Sequence, residues 1–190
     1  PFFGGDWWPW LFSDPDFWQQ WVDRWQELRR THFALTNMDR LIDQLTGELR
    51  EAQPREYQKW GLQPHGGTYQ GEIDHMKDWL SNRVDFIDRQ LVQPPRFKSE
   101  GGRVAPGFAL KLSARASATI YYTLDGSDPR LSQGGISSNA LVYSNSIPIN
   151  SSVHVCARTH NVNIRQVGGP PLSTPWSSPA SAKFEMVVAK

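Results

Sequence analysis

The sequence predicts an α+β protein in which an N-terminal three-helix segment is followed by an antiparallel β-sandwich. In the first half, apolar residues recur every three or four positions. In the second half, short β-rich segments alternate with clusters of Gly, Pro, Asn and Ser. Between the halves stands Pro94-Pro95, and a proline pair ends a helix and favours extended backbone. We therefore predict one domain over 1–93 and a second over 94–190.

The two halves also differ in charge. Residues 1–93 hold 15 acidic and 10 basic side chains, whereas residues 94–190 hold 4 acidic and 10 basic ones. The halves carry −5 and +6, and the whole chain of 190 residues carries a formal net charge of +1. This balance argues against nucleic-acid binding. No apolar run approaches the roughly 20 residues of a bilayer span, so we predict no membrane span.

Three helices are predicted in the first half. Asp14 is an N-cap with Pro15 at the first helical position, and this helix is expected to run to about Arg30. The second is expected to begin at Thr36, with Asp39 as its capping-box partner, and to end before Pro54. Because each apolar stripe must be buried against other apolar residues, we expect a helical bundle with one shared core. The stripes are Phe17, Trp18, Trp21, Val22, Trp25 and Leu28; Met38, Leu41, Ile42, Leu45 and Leu49; and Ile73, Met76, Leu80, Val84, Ile87 and Leu91.

The second half is predicted to form strands. In Ser152 to Thr159, apolar residues alternate with His154, Cys156 and Arg158, so one face of this strand should line the core and Cys156 should lie off it. As the single cysteine, Cys156 excludes an internal disulfide and a Cys-based zinc site. The predicted strands are Ala109 to Leu112, Thr119 to Leu124, Ala140 to Tyr143, Val153 to Arg158 and Lys183 to Val188.

The segment from Ile120 to Pro129 carries a specific motif, Tyr-Tyr-Thr-x-Asp-Gly-Ser-x-Pro, formed by Tyr121, Tyr122, Thr123, Asp125, Gly126, Ser127 and Pro129. It resembles the strand and turn of the Ig-like domain found at the C-terminus of chitobiase and β-hexosaminidase. Physically, Asp-Gly favours a tight turn and the proline ends the strand. The resemblance covers roughly Pro95 to Val188 and implies an Ig-like sandwich.

The first half, in the segments 11–17, 24–29, 72–80 and 83–88, resembles the C-terminal helical end of the CotH family of spore-coat-type atypical protein kinases. The resemblance implies a secreted or cell-surface bacterial protein, because the two modules occur in this order in such proteins. The nucleotide-holding lysine and metal-binding aspartates of that family are expected in sequence ahead of Pro1. No catalytic residue is therefore assigned to this chain, and the parent protein is expected to be a kinase.

No residue pattern indicates catalysis, a cofactor or a metal in this chain. There is no phosphate-binding Gly-x-x-x-x-Gly-Lys run and no Gly-x-Ser-x-Gly nucleophile elbow. Glu72 and His75 have the spacing of half a helical di-metal motif, but a second such pair is missing. Asp125, Ser127 and Asp128 are interpreted as turn residues rather than calcium ligands, because the twelve-residue loop and its terminal Glu are absent.

Two functions are compatible with these features. The preferred one is a non-catalytic C-terminal portion of a CotH-like protein, whose helices complete a kinase-like fold and whose sandwich is a spacer or interaction module. The alternative is a carbohydrate-binding module, in which exposed rings stack on sugars. The partners expected for the chain are the remainder of the parent protein and a polysaccharide or a surface protein. The candidate stacking rings are Trp7, Trp8, Trp10 and Trp176.

Overall fold

The computed structural model describes residues 7–61, 67–164, 166 and 173–187, and the chain divides into two compact units. The β unit comprises Pro1–Gln26 and Gln90–Lys190, and the helical unit comprises Glu27–Arg89. The division proposed at residue 93 concerns sequence modules and stays a prediction. The helices are α1 Trp8–Leu11, α2 Pro15–Arg29, α3 Leu35–Leu49, α4 Gln53–Trp60 and α5 Tyr69–Arg89. The strands are β1 Arg96–Phe97, β2 Gly102–Val104, β3 Phe108–Leu110, β4 Leu112–Ser113, β5 Thr119–Thr123, β6 Leu141–Val142, β7 Ile147–Ile149, β8 Val153–His160 and β9 Ala180–Met186.

The α+β fold class is confirmed, and the β unit is a sandwich. A five-stranded sheet in the order β2-β9-β8-β5-β6 forms one layer, and the pairs β1-β4 and β3-β7 complete the strands. All these pairings are antiparallel except that of β2 with β9, which is parallel and lies at one edge of the sheet. The hydrophobic core consists of Val104, Leu110, Leu112, Ile120, Ile147, Ile149, Val155, Ala157, Ala182 and Phe184.

The first part of α2 belongs to the β unit. As predicted, Asp14 caps this helix, because its Oδ1 accepts a hydrogen bond of 2.8 Å from the Asp16 backbone amide. Trp18 and Val22, one turn apart, are buried. The two Gln side chains at positions 19 and 26 are buried as well. A helix that buries polar side chains needs hydrogen-bonding partners, and the sandwich supplies them.

The helical unit has little buried apolar surface among the residues described. Tyr69 donates its hydroxyl to the Thr46 carbonyl at 2.7 Å, and Lys77 lies 2.6 Å from Asp43, so α5 and α3 meet along polar edges. α3 and α4 bury no residue, whereas α5 buries Ile73 and Val84. The expected single core shared by three stripes is therefore wrong, because Leu41, Leu45 and Leu49 of the α3 stripe are exposed.

The expected start of the second helix needs correction. α3 begins at Leu35 after Ala34, with no side-chain cap, so the Thr36 and Asp39 capping box is not formed. α3 ends at Leu49, before Pro54 as predicted. Pro54 itself lies in the first turn of α4, where a backbone amide would have no intrahelical partner. The short helices α1 and α4 were not expected, because four and eight residues are too few to show a clear period.

Candidate functional site on the helix-covered face of the sandwich

The motif turn after β5 is held by its own side chains. Asp125 Oδ1 accepts hydrogen bonds from the Ser127 amide at 2.9 Å and the Ser127 hydroxyl at 2.6 Å. These bonds lower the pKa of the Asp125 carboxyl. Thr123, at the end of the strand, donates its hydroxyl to the Ser127 carbonyl at 2.6 Å. The predicted strand and turn are thus confirmed, and the polar motif residues serve the turn itself.

Gly126 is required in this turn for two reasons. Its φ is +81°, a region that L side chains rarely adopt, and a Cβ there would lie 2.3 Å from Nδ1 of His154. We expect Gly126→Ala to lower the free energy of unfolding by about 2 kcal/mol. Gly47→Ala is the control, because Gly47 lies in α3 with open space around it and should become more stable by up to about 1 kcal/mol. Equal urea midpoints for the two variants would contradict the assigned role of Gly126 in the turn.

The most strongly connected polar group in the β unit is the guanidinium of Arg158, whose residue is 3% exposed. It donates to Asp128 through Nε at 2.7 Å and Nη2 at 2.6 Å. It donates to Asp23 of α2 through Nη1 and Nη2, both at 2.7 Å. A fifth bond of 2.6 Å runs to the Ser177 carbonyl. Two bidentate pairs satisfy the fork geometry of arginine, so the charge is buried without an unpaired donor.

Electrostatics favour the charged form of this group. Burial alone would lower the pKa of Arg158, but the hydrogen bonds to Asp23 and Asp128 outweigh burial and raise it. The sequence did not reveal the network, because Asp23 and Arg158 lie 135 positions apart. The one signal was the position of Arg158 on the strand face opposite the core.

A layer of buried hydrogen bonds surrounds the Arg158 network. Gln26 donates to the Val92 carbonyl at 2.8 Å and accepts from the Ser178 amide at 2.7 Å. Gln19 donates to the Ser177 carbonyl at 3.3 Å and accepts from the Thr174 hydroxyl. Two glutamines about two turns apart on α2 thus form hydrogen bonds with the segment before β9. This pattern is typical of a permanent internal contact rather than of an open ligand site.

The start of α2 makes a second ion pair with the sandwich. Asp16 lies 2.6 Å from Arg130 Nη2, and its carboxylate also accepts the Gln133 amide at 3.0 Å. The hydrogen bond from Arg130 and then that from Gln133 lower the pKa of Asp16. Arg130 follows the motif turn directly, so the turn positions a second cation toward the helix. The motif therefore shapes an interaction site for α2.

The candidate stacking rings have different surroundings. Trp176 is 0% exposed, and its Nε1 donates to the Gly134 carbonyl at 3.0 Å. Its ring lies 4.6 Å from that of His160 and 5.4 Å from that of Tyr121, between centroids. Trp176 therefore offers no face to a sugar. Trp7 and Trp10, by contrast, are 57% and 78% exposed. Trp8 stacks on Trp7 with centroids 4.2 Å apart.

The two parts of this site lie in segments that match two family models. Residues 4–87 match the model described as CotH kinase protein. Residues 108–166 match the model described as Fn3 associated. The chitobiase type in particular is not shown, and the Fn3-associated type is related to it. No curated protein and no solved structure matches the chain.

The Arg158 network joins the two matching segments inside the β unit. Asp23 lies in the CotH-matching segment, and Asp128 and Arg158 lie in the Fn3-associated segment. Within the described parts of the chain, no group of three or more His, Cys, Asp or Glu side chains is placed to hold a metal ion. Among the same residues, no helix has both the length and the apolar character of a membrane span.

Cys156 of the Fn3-associated segment is buried next to this network. Burial, together with the carboxylate of Asp128, raises the pKa of its thiol to about 11. Burial also lowers the pKa of His160 on the same strand. A protonated, buried thiol is a poor nucleophile, so Cys156 itself is unreactive in the folded chain. The expectation that Cys156 lies outside the core cluster is confirmed, although the second face of β8 is covered too.

The raised pKa predicts the chemistry of Cys156. A pKa raised from 9.0 to about 11 lowers the fraction of Cys156 present as thiolate about 100-fold at pH 8. Alkylation by iodoacetamide at this pH should therefore be at least about 100-fold slower in the folded chain than in urea. Because the folded pKa is raised from 9.0 to about 11, the protonated thiol stabilises the fold fully below pH 9, and this contribution is lost as pH rises toward 11. Cys156→Ala should therefore lose less stability than the wild type over that interval. Rapid alkylation of the folded chain would contradict the burial.

Proposed function

We propose that the chain is the non-catalytic C-terminal portion of a secreted or cell-surface CotH-like protein. Its helices complete a kinase-like fold, and its sandwich is a spacer or interaction module. The observation that carries this proposal is the apolar stripe of α3, formed by Leu41, Leu45 and Leu49, which are 52%, 50% and 55% exposed. A helix stripe of this size normally lies against a core.

The occupant proposed for this stripe is the preceding part of a CotH kinase fold. The match of residues 4–87 to the CotH kinase model supports this choice. The helical unit also exposes two large aromatic rings, Trp60 of α4 and Trp79 of α5. The polar edge of α3 is already used by Asp43 and Thr46 in contacts with α5. The apolar stripe is therefore the side of α3 that is open to another body.

The test begins with the coding sequence ahead of Pro1, which should encode the nucleotide-holding lysine and metal-binding aspartates of a kinase-like region. In a protein containing both parts, Leu41→Glu with Leu45→Glu should lower Tm by several degrees, whereas in the present chain the same change should leave Tm unaltered. Leu141→Glu with Val142→Glu on the exposed edge strand β6 is the matched control and should alter neither protein. Absence of such a region, or an unchanged Tm in the longer protein, would contradict the proposal.

The chain by itself is expected not to bind Mg-ATP. Phosphoryl transfer needs a phosphate cradle and metal-holding carboxylates, and the sequence carries no motif for either. Titration calorimetry with Mg-ATP should show no saturable heat. Micromolar binding that a single substitution within 1–93 abolishes would place the catalytic region in this chain and overturn the expectation.

A second candidate function is carbohydrate binding, and the exposure of Trp7 and Trp10 supports it. Exposed indole rings present apolar faces on which sugar rings stack. If this function holds, Trp7→Ala with Trp10→Ala abolishes retention on insoluble chitin without changing Tm. Retention equal to that of the wild type would remove this candidate. Trp176 is not part of the proposed platform, because its ring is buried.

A further inference from the structure

The strand pair β1-β4 presents an exposed basic surface, which we call the basic ladder, formed by Arg96, Lys98 and Lys111. Arg96 is paired with Ser113 and Phe97 with Leu112 in antiparallel register. Leu112 lies in the core and Phe97 packs against it. Because successive side chains alternate between faces, the residues flanking Phe97 and Leu112 face outward.

The ladder places two like charges opposite each other. The Lys98 amide donates to the Lys111 carbonyl at 3.0 Å, which continues the β1-β4 register by one position. Directly opposite residues of an antiparallel pair have Cβ atoms about 5 Å apart, and like charges in such pairs are destabilising. Among the described residues, none of the three ladder side chains forms a salt bridge. The fold thus carries uncompensated repulsion at this surface.

The surrounding sequence does not neutralise the ladder. Residues 94–124 contain five basic side chains, and Glu100 is the single acidic one. Arg103 is distinct from the ladder, because its Nε lies 3.9 Å from the carboxylate of Glu185. The two aspartates that follow, Asp125 and Asp128, are held by the motif turn and by Arg158. Three exposed basic side chains, none of them in a salt bridge among the described residues, therefore lie together on β1-β4 and the positions next to it.

We propose that the basic ladder binds an anionic polysaccharide, a flexible chain with a negative group repeated along its length. Opposite charge on such a chain relieves the repulsion between Lys98 and Lys111. Between residues 94 and 123 no large apolar side chain is exposed. The surface thus lacks the rings on which nucleic-acid bases stack and the apolar anchors that insert into a membrane. This role is independent of the proposed place of the chain in a kinase-like protein.

The test uses polygalacturonate as the probe and neutral dextran as its uncharged counterpart. At low salt the chain should bind polygalacturonate and not dextran, and binding should disappear in about 0.5 M NaCl, where the Debye length shrinks to about 4 Å. Lys98→Gln with Lys111→Gln should weaken binding about tenfold or more. The same variant should keep or raise Tm, because it removes a like-charge pair.

The matched control is Arg103→Gln with Lys183→Gln, which removes the same charge from exposed residues outside the ladder. This variant should bind within about twofold of the wild type if the ladder is the site. An equal loss in both double variants would show a general charge effect and overturn the proposal. No binding to polygalacturonate at low salt would also overturn it. Tighter binding to a DNA oligonucleotide or to phosphatidylserine vesicles than to polygalacturonate would overturn the proposal and identify the nucleic acid or the membrane as the partner of the ladder.

Discussion

Replacing Trp176 with alanine is expected to lower the free energy of unfolding by about 4 kcal/mol. The ring is 0% exposed, so its removal leaves a large cavity between β5, β8 and the loop that contains Gly134. The loss of the indole hydrogen bond leaves the Gly134 carbonyl without this donor. Urea unfolding followed by circular dichroism should show a lower midpoint with an unchanged slope.

The control for this experiment is Trp10→Ala, since Trp10 is 78% exposed. Its midpoint should stay within about 0.5 kcal/mol of the wild type. Equal stability of the two variants would show that Trp176 is not a structural residue.

Replacing Asp23 with asparagine is expected to cost about 3 kcal/mol of stability. Arg158 would stay buried with half of its anionic partners removed, although Asp128 would still neutralise its charge. This cost lies at the lower end of the range for a broken buried ion pair. It should persist in 1 M salt, because a buried pair is poorly screened.

Glu51→Gln is the control for an exposed ion pair, because the Glu51 and Arg55 side chains are 84% and 69% exposed. Its effect should be below about 0.5 kcal/mol and should vanish in salt. A double-mutant cycle with Arg158→Met isolates the pair. If Asp23→Asn lowers the free energy of unfolding by the same amount in the wild type and in the Arg158→Met variant, the ion pair does not stabilise the contact between α2 and the sandwich.

The Asp23 prediction concerns the docking of α2 residues 15–26 on the outer face of the five-stranded sheet. That contact uses side chains from both family-model matches, so the β unit is not made of the Fn3-associated segment alone. We therefore expect that an excerpt limited to residues 94–190 would expose Arg158, Ser177 and Ser178. The boundary at Pro94-Pro95 rests on the change in composition and on the proline pair, and it stays a prediction.

Local patterns in the sequence determined much of the secondary structure. The apolar spacing predicted α2, α3 and α5, because a helix repeats its faces every 3.6 residues. Alternation predicted β8, and the Tyr-Tyr-Thr-x-Asp-Gly motif predicted β5 and its turn. In each case the preference for helix, strand or turn is encoded within about ten neighbouring residues.

Tertiary structure alone decided which faces are covered. The same kind of apolar stripe is buried at Trp18 and Val22 in α2 and exposed at Leu41 and Leu45 in α3. Arg158, Gln19 and Gln26 are buried although their residue types favour the surface. Their partners lie far away in the chain, and a periodic pattern carries no information about what lies opposite it. Burial of a polar side chain follows from those distant partners, because only a satisfied hydrogen-bond network offsets the cost of removing charge from water.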